Sequence, residues 1–273
     1  MKPSEISAIT SVHVRDKGHE CVMSTNQIQA DIQRRPAVTF TISQSAAYQK
    51  MLGIVEYFFT RPTGVNLHPF RGFLLEGPPA TGKTEVAFQI AKTLVVKLAR
   101  KTPPIAVEVR FIDSSVVAAP HWGEAEKRLS DAFNIRVDGN ERAILIIDDI
   151  DGLLITRGSE IAKEWHYSIN SVIFHRLDMV DPTRAMVIAT TNRPDLIDEA
   201  LRSRLYGIRV EEPRPDELLG IVEHMAKTLG IGDDSNSIAR AVIQKLGRTR
   251  ELTLRQIQNL LIEECIDSGL WGK

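Results

Sequence analysis

Apolar positions along this chain fall into two kinds of pattern. Gly72 to Glu76, Ala143 to Ile147 and Ala185 to Ala189 are short and almost wholly apolar. Such runs fit strands buried on both faces, as in a parallel sheet. Val107 to Ile112 alternates as a further strand. Between the strands, apolar residues recur at helical spacing: Val86, Ile90 and Leu94, then Ile161, Trp165, Ile169, Val172, Ile173 and Leu177. A helix is also predicted from about Gly123 to Phe133. VTFTI at 38–42 reads as a strand leading into an apolar helix over 46–59, which Arg61 and the Pro-Thr-Gly after it end. Strands alternating with helices predict an α/β fold, a three-layer sandwich with a parallel sheet between helices.

After Pro213 the pattern changes: no strand is apparent, and helical stretches fall near 215–229, 236–246 and 253–267. Pro213-Arg214-Pro215 is the expected boundary between an α/β core over 37–212 and a small all-helical domain over 213–273. Residues 1–36 are polar and mixed, without a clear amphipathic period, and are expected to form an N-terminal arm.

Composition adds bounds. At 273 residues the chain accommodates one large domain or a domain plus a smaller one. A hydrophobic content of 43% and a charged content of 25% are ordinary for a globular protein. The net charge of -1 gives no electrostatic ground for strong nucleic-acid binding. Cys21 and Cys265 stand far apart in no ligand-like spacing and read as free thiols in a reducing compartment. No run approaches membrane-spanning length, and the N-terminus lacks the apolar core of a signal peptide, so a cytoplasmic protein is expected.

The chemistry begins at GPPATGKT, residues 77–84, which fills a G-x-x-x-x-G-K-[ST] phosphate loop between a strand and a helix. Gly77 and Gly82 permit backbone conformations that a Cβ forbids, so consecutive amides can face one concavity. Pro78, Pro79, Ala80 and Thr81 complete the loop, and the positive end of the following helix, from Glu85 on, faces the phosphates. Lys83 is expected at the β- and γ-phosphates and Thr84 at Mg²⁺. The apolar strand at 144–147 ends in Asp148 and Asp149. Asp148 is placed to hold Mg²⁺ through its water shell, and Asp149 to activate the attacking water.

Taken together, these stretches resemble the AAA family of the AAA+ ATPases. The resemblance runs from Val38 to about Leu270, through VTFTISQS at 38–45, GPPATGKT, His121 to Lys127, ILIIDDID at 144–151 and ATTNRPDLIDEALRSRL at 189–205. It implies a P-loop NTPase core with a helical lid, ATP or ADP clamped between them, and a homo-oligomeric ring, commonly a hexamer. In such a ring each site borrows an arginine from its neighbour. The family's adenine segment falls at VTFTISQS, with Ile42 as candidate wall residue. Asn192 matches the polar sensor that orients the lytic water. Arg202 and Arg204 fall where the family keeps its arginine fingers, in a stretch about two residues shorter than usual. Arg204 is the preferred finger and Arg202 a helper or structural residue. Arg255 stands where other AAA+ clades contact the γ-phosphate; it is either such a sensor or a surface residue.

Three departures matter. Asp149 replaces the expected glutamate, pulling the carboxylate back by roughly one bond length, and small misplacements in catalytic geometry cost large rate factors. In the pore loop His121 stands where the family has its aromatic, with Trp122 one position later; Trp122 either grips a polypeptide or packs in the core. The paired glycines of the adenine segment are absent from Ser43-Gln44-Ser45. The leading reading is an ATP-driven machine that remodels or unfolds a protein partner, recognised through residues 1–36 or an adaptor. The alternatives are a nucleic-acid-associated loader and a nucleotide-dependent switch or scaffold with slow hydrolysis.

Overall fold

A computed structural model describes residues 25–36, 38–61, 70–114, 124–135, 137–153, 164–231, 234–246 and 253–269. Strands β1 (Gly72–Glu76), β2 (Ala106–Asp113), β3 (Glu141–Asp148), β4 (Ala185–Thr191) and β5 (Leu205–Arg209) pair in parallel, in the order β2-β3-β4-β1-β5. The helices among the described residues are α1 (Thr25–Arg34), α2 (Ile42–Phe59), α3 (Lys83–Ala99), α4 (Glu124–Phe133), α5 (Glu164–Asp178), α6 (Glu199–Arg202), α7 (Leu218–Thr228), α8 (Ser235–Leu246) and α9 (Leu254–Asp267).

Because strand side chains alternate between faces, each apolar run divides between two cores. Ala143, Leu145 and Ile147 join Leu74, Val187 and Ala189 under α4 and α5, through Leu129, Ile169, Ile173 and Leu177. Ile144 and Ile146 join Phe73, Leu75, Met186 and Ile188 under α2 and α3, through Met51, Val55, Val86, Ile90 and Leu94. β4 is buried along its whole length, which is why its run shows no polar alternation. Each large side chain fully buried here stabilises the fold by roughly 2 kcal/mol relative to exposure. The last three helices close on their own apolar cluster, which includes Val222, Ile238, Val242, Ile257 and Leu261. Among the described residues no helix is long and apolar enough to cross a membrane.

Several expectations are corrected. Residues 38–41 do not pair as a strand. Thr41 instead caps α2: its hydroxyl accepts from Gln44 N while Gln44 Oε1 accepts from Thr41 N, a reciprocal cap that starts the helix at Ile42. The polar stretch 1–36 contains α1, whose Ile28 and Ile32 are buried in the second core and whose Gln29 donates to Val107 O at 3.4 Å. Two isoleucines four apart are enough for one turn-to-turn contact, too little to register as a period. β5 carries no strand pattern in the sequence, since it is an edge strand of five residues with Gly207 at its centre. His121 and Trp122, the candidate pore-loop residues, lie outside the described residues, as does Cys21, whereas Cys265 is free and buried.

Candidate nucleotide site

The phosphate-loop sequence leaves β1 at its carboxyl end and enters α3. A Cβ at Gly77 would lie 2.0 Å from Val210 O, so no larger residue fits where the loop passes the segment that follows β5. Gly82, at φ 80°, is left-handed and precedes the first residue of α3; a Cβ there would meet Gln44 Nε2 at 2.2 Å. Ala80 is also left-handed, at φ 57°. Left-handed turns of this kind gather backbone N–H groups into an anion-binding hollow. Thr81 Oγ1 braces the loop by donating to Pro78 O at 3.0 Å, and Gln44 Nε2 donates to Thr81 O at 2.7 Å. Pro79 is exposed.

Lys83 is 5% exposed, and its Nζ donates to Gly77 O at 3.0 Å and Pro78 O at 2.6 Å. Burial strips water from the ammonium and lowers its pKa to about 8, against the opposing pull of Asp149, Asp148 and Asp151. Thr84 Oγ1 donates to Asp148 Oδ1 at 2.7 Å, joining the helix start to the end of β3. Two oxygen donors side by side suit a hard divalent cation, which Mg²⁺ sites complete with substrate phosphate and water.

Asp149 stands just past β3 in the left-handed region, at φ 50° and ψ 52°, a conformation that aspartate tolerates better than most residues. Its N–H donates to Thr190 Oγ1 at 2.9 Å, and the Thr190 hydroxyl donates to Asp148 Oδ1 at 2.6 Å. Asn192 Nδ2 donates to Asp149 Oδ1 at 2.8 Å. Desolvation raises the Asp149 pKa above its ordinary value, with Asp148 and Asp151 adding like-charge repulsion. Asp151 Oδ1 in turn accepts from Thr191 Oγ1 at 2.6 Å and Asn192 N at 3.2 Å. Ser114 Oγ donates to Asp148 O at 2.6 Å. Thr190, Thr191, Asp151 and Ser114 join the site only through the fold. The one available signal was the threonine pair immediately before Asn192.

Arg202 and Arg204 are both engaged within the chain. Arg202 Nη1 donates to Glu76 Oε1 and its Nη2 to Pro194 O, each at 2.5 Å. Arg204 makes a two-pronged contact with Asp178, Nε to Oδ1 at 2.7 Å and Nη2 to Oδ2 at 2.8 Å, and Nη1 donates to Ala200 O. That contact holds the Asp178 carboxyl below its ordinary pKa. Between the loop and the C-terminal helices lies a cavity of about 430 Å³, lined by residues that include Val38, Thr39, Ala80, Gly82, His224 and Arg255. Ile42 is not on this wall: it is half exposed, and its N–H donates to Glu217 Oε2 at 2.6 Å. Val38 and Thr39 line the cavity instead. Arg255 lies on the opposite wall, at the start of α9, and Glu85 is on the loop side.

A glycine loop feeding a buried lysine into a helix start, with carboxylates and polar residues at the ends of the adjacent parallel strands, defines a P-loop nucleotide-binding domain. The chain belongs to the family described as "ATPase family associated with various cellular activities (AAA)", which its residues 73–212 match. It is similar to the ATPase family gene 2 protein of Schizosaccharomyces pombe, at 32% identity over 232 residues, covering 82% of this chain and 25% of that protein. It is also similar to an AAA ATPase forming ring-shaped complexes from Bifidobacterium longum, at 30% identity over 206 residues, covering 68% of this chain and 39% of that one. The vesicle-fusing ATPase of Arabidopsis thaliana is 34% identical over 157 residues, 54% of this chain and 20% of its own length. The chain thus spans well under half of each of these relatives. In fold it matches a chain of the solved structure "Structure of E. coli MS115-1 HORMA:CdnC:Trip13 complex", with a TM-score of 0.57 at 14% identity, over 87% of this chain and 91% of that one.

Proposed function

We propose that this domain binds ATP with Mg²⁺, hydrolyses it, and uses the cycle to remodel or unfold a protein partner as a cytoplasmic homo-oligomeric ring of six subunits. The observation that carries the reading is the convergence of two hydrogen-bonded pairs beside one loop, Thr84 with Asp148 and Asn192 with Asp149. One pair suits the metal and the other the water, the division of labour that phosphoryl transfer requires. The name of one relative, an AAA ATPase forming ring-shaped complexes, supports the ring.

In this reading the amides of residues 77–84 cradle the phosphates, and Lys83 exchanges its two loop carbonyls for β- and γ-phosphate oxygens. Thr84 and Asp148 hold Mg²⁺, which supplies charge neutralisation at the phosphates. Asp149 takes the proton of the attacking water, and Asn192 keeps the Asp149 carboxylate and the water in line. The core 37–212 and the helical lid 213–273 close on the nucleotide, with Arg255 coupling the lid to it. Arg204 is the finger presented to the neighbouring subunit, exchanging Asp178 for phosphate oxygens. Arg202 holds the turn through Glu76 and Pro194.

The test is phosphate release measured across a range of protein concentrations. Turnover per subunit rises with concentration, because each site is completed by a neighbour, and Lys83→Ala abolishes it without altering the circular dichroism spectrum. Parental turnover in folded Lys83→Ala would refute the assignment. A second reading, a slow nucleotide switch, is favoured by the short Asp149 side chain already engaged by Asn192. It predicts nucleotide binding with almost no steady-state release.

A further inference from the structure

The wall of the cavity nearest α1 carries a charge pair that the reaction described above does not use. Arg35 follows α1 directly, and its guanidinium is held on several sides. It lies over the Phe88 ring, 3.8 Å from the centroid. Its Nε donates to Asp31 Oδ2 at 3.1 Å and its Nη1 to Glu85 Oε2 at 2.7 Å. Glu85 is fixed in turn, because its other oxygen accepts from Gln89 Nε2 at 2.8 Å, and the same nitrogen reaches Pro36 O at 2.9 Å. Both Arg35 and Glu85 line the cavity that begins at Ala80 and Gly82 of the loop. The pair is about two-thirds withdrawn from water, with side-chain exposures of 27% and 31%.

A guanidinium has five N–H donors in a rigid fork. Among the described residues, the bonds to Asp31 and Glu85 occupy Nε and Nη1 and leave Nη2 without a hydrogen-bond partner. The position is therefore pre-organised, with donors to spare beside a ligand-sized space. With triphosphate on residues 77–84, ribose and base continue into that space, since it opens from the same loop. We propose that Arg35, held in place by Glu85, Asp31 and Phe88, is a nucleoside-recognition residue that donates from its free edge to an acceptor of the ribose or purine. This rests on the reading that the loop binds the phosphates. Because Arg35 closes α1, it also makes α1 part of the nucleotide site.

The experiment compares two ligands in the presence of Mg²⁺: a non-hydrolysable imido analogue of ATP, and inorganic tripolyphosphate, which has no ribose or base. Binding is measured by calorimetry on the parent protein, Arg35→Ala and Arg35→Lys. A hydrogen bond from a charged donor is worth about tenfold to a hundredfold in affinity. Arg35→Ala is expected to weaken the ATP analogue about tenfold or more while changing tripolyphosphate less than about twofold. Arg35→Lys keeps the charge beside Glu85 but lacks the planar fork that spans Asp31, Glu85 and the cavity at once, so it too loses affinity for the analogue. Hydrogen exchange on the unmodified protein gives an independent readout: the analogue protects α1 amides and tripolyphosphate does not. Equal losses for both ligands, no loss for either, or α1 protection by tripolyphosphate alone would overturn the proposal. If the parent protein binds neither ligand, the phosphate-loop assignment falls first and this one with it.

Discussion

Replacing Thr190 by valine removes two hydrogen bonds with almost no change of shape, which makes it a clean probe of how the two acids are held. The Thr190 side chain is 1% exposed; its hydroxyl accepts from Asp149 N at 2.9 Å and donates to Asp148 Oδ1 at 2.6 Å. A bond to a charged acceptor contributes about 1.5–3 kcal/mol, and an orphaned buried donor costs about 1–3 kcal/mol. Asp149 is exposed, so the lower end applies and the expected loss is about 2 kcal/mol of stability. The catalytic effect follows from geometry. The same bond pins Asp149 at φ 50°, and a carboxylate released from that conformation no longer meets water and phosphate in line. A misplacement of about 1 Å is worth about a hundredfold, so kcat is expected to fall about tenfold to a hundredfold while nucleotide affinity changes only a few-fold. Steady-state phosphate release and urea unfolding followed by circular dichroism provide the two readouts. Thr190→Ser restores the hydroxyl and should recover most of the rate. A Thr190→Val protein with the parental kcat and unfolding midpoint would refute the reasoning.

Asp148→Ala and Asp149→Asn are expected to differ in kind: the first weakens Mg²⁺-dependent nucleotide binding in calorimetry, whereas the second keeps binding and slows hydrolysis, making it the form in which to capture a partner. Parental turnover by Asp149→Asn would remove Asp149 from the role of base. Lys83, with its pKa lowered to about 8, must be protonated to bind phosphate. Affinity for ATP should therefore fall as pH rises through about 8, by about tenfold one unit above it, with proton uptake seen as buffer-dependent binding heats. In the free protein the sign is opposite for stability: the unfolded chain binds the extra proton between about 8 and 10.5, so this group makes the fold gain stability across that window. Asp178→Asn breaks the Arg204 contact; with Asp178 half exposed the cost is below about 1 kcal/mol at neutral pH. Because the Asp178 pKa is depressed, that stabilisation is present above the ordinary carboxylate range and disappears as pH falls through the folded value, which melting curves at a series of pH values would follow. Hydrolysis by Asp178→Asn should stay at or above the parental rate; a loss as deep as that of Arg204→Ala would mean that the arginine serves its own subunit.

Local pattern carried the α/β alternation, the buried strands, the three C-terminal helices and the loop at 77–84, because each is written in consecutive or helically spaced residues. Strand and helix periods follow from how side chains project from the backbone, and the loop needs glycine where a Cβ would strike Val210 O or Gln44. The acids at the end of β3, Asp148 and Asp149, are legible for the same reason, standing where an apolar run stops. Tertiary structure alone decided the sheet order, and with it the company those acids keep. Insertion of β4 between β3 and β1 brings Thr190 to Asp148 across 42 residues and Asn192 to Asp149 across 43. It also took the fold to seat α1 on the second core and to carry Arg35 to Glu85 across 50 residues. No local period encodes such pairings, since they depend on which hydrophobic face each element buries against which neighbour, and that is settled only when the whole sheet closes between its two layers of helices.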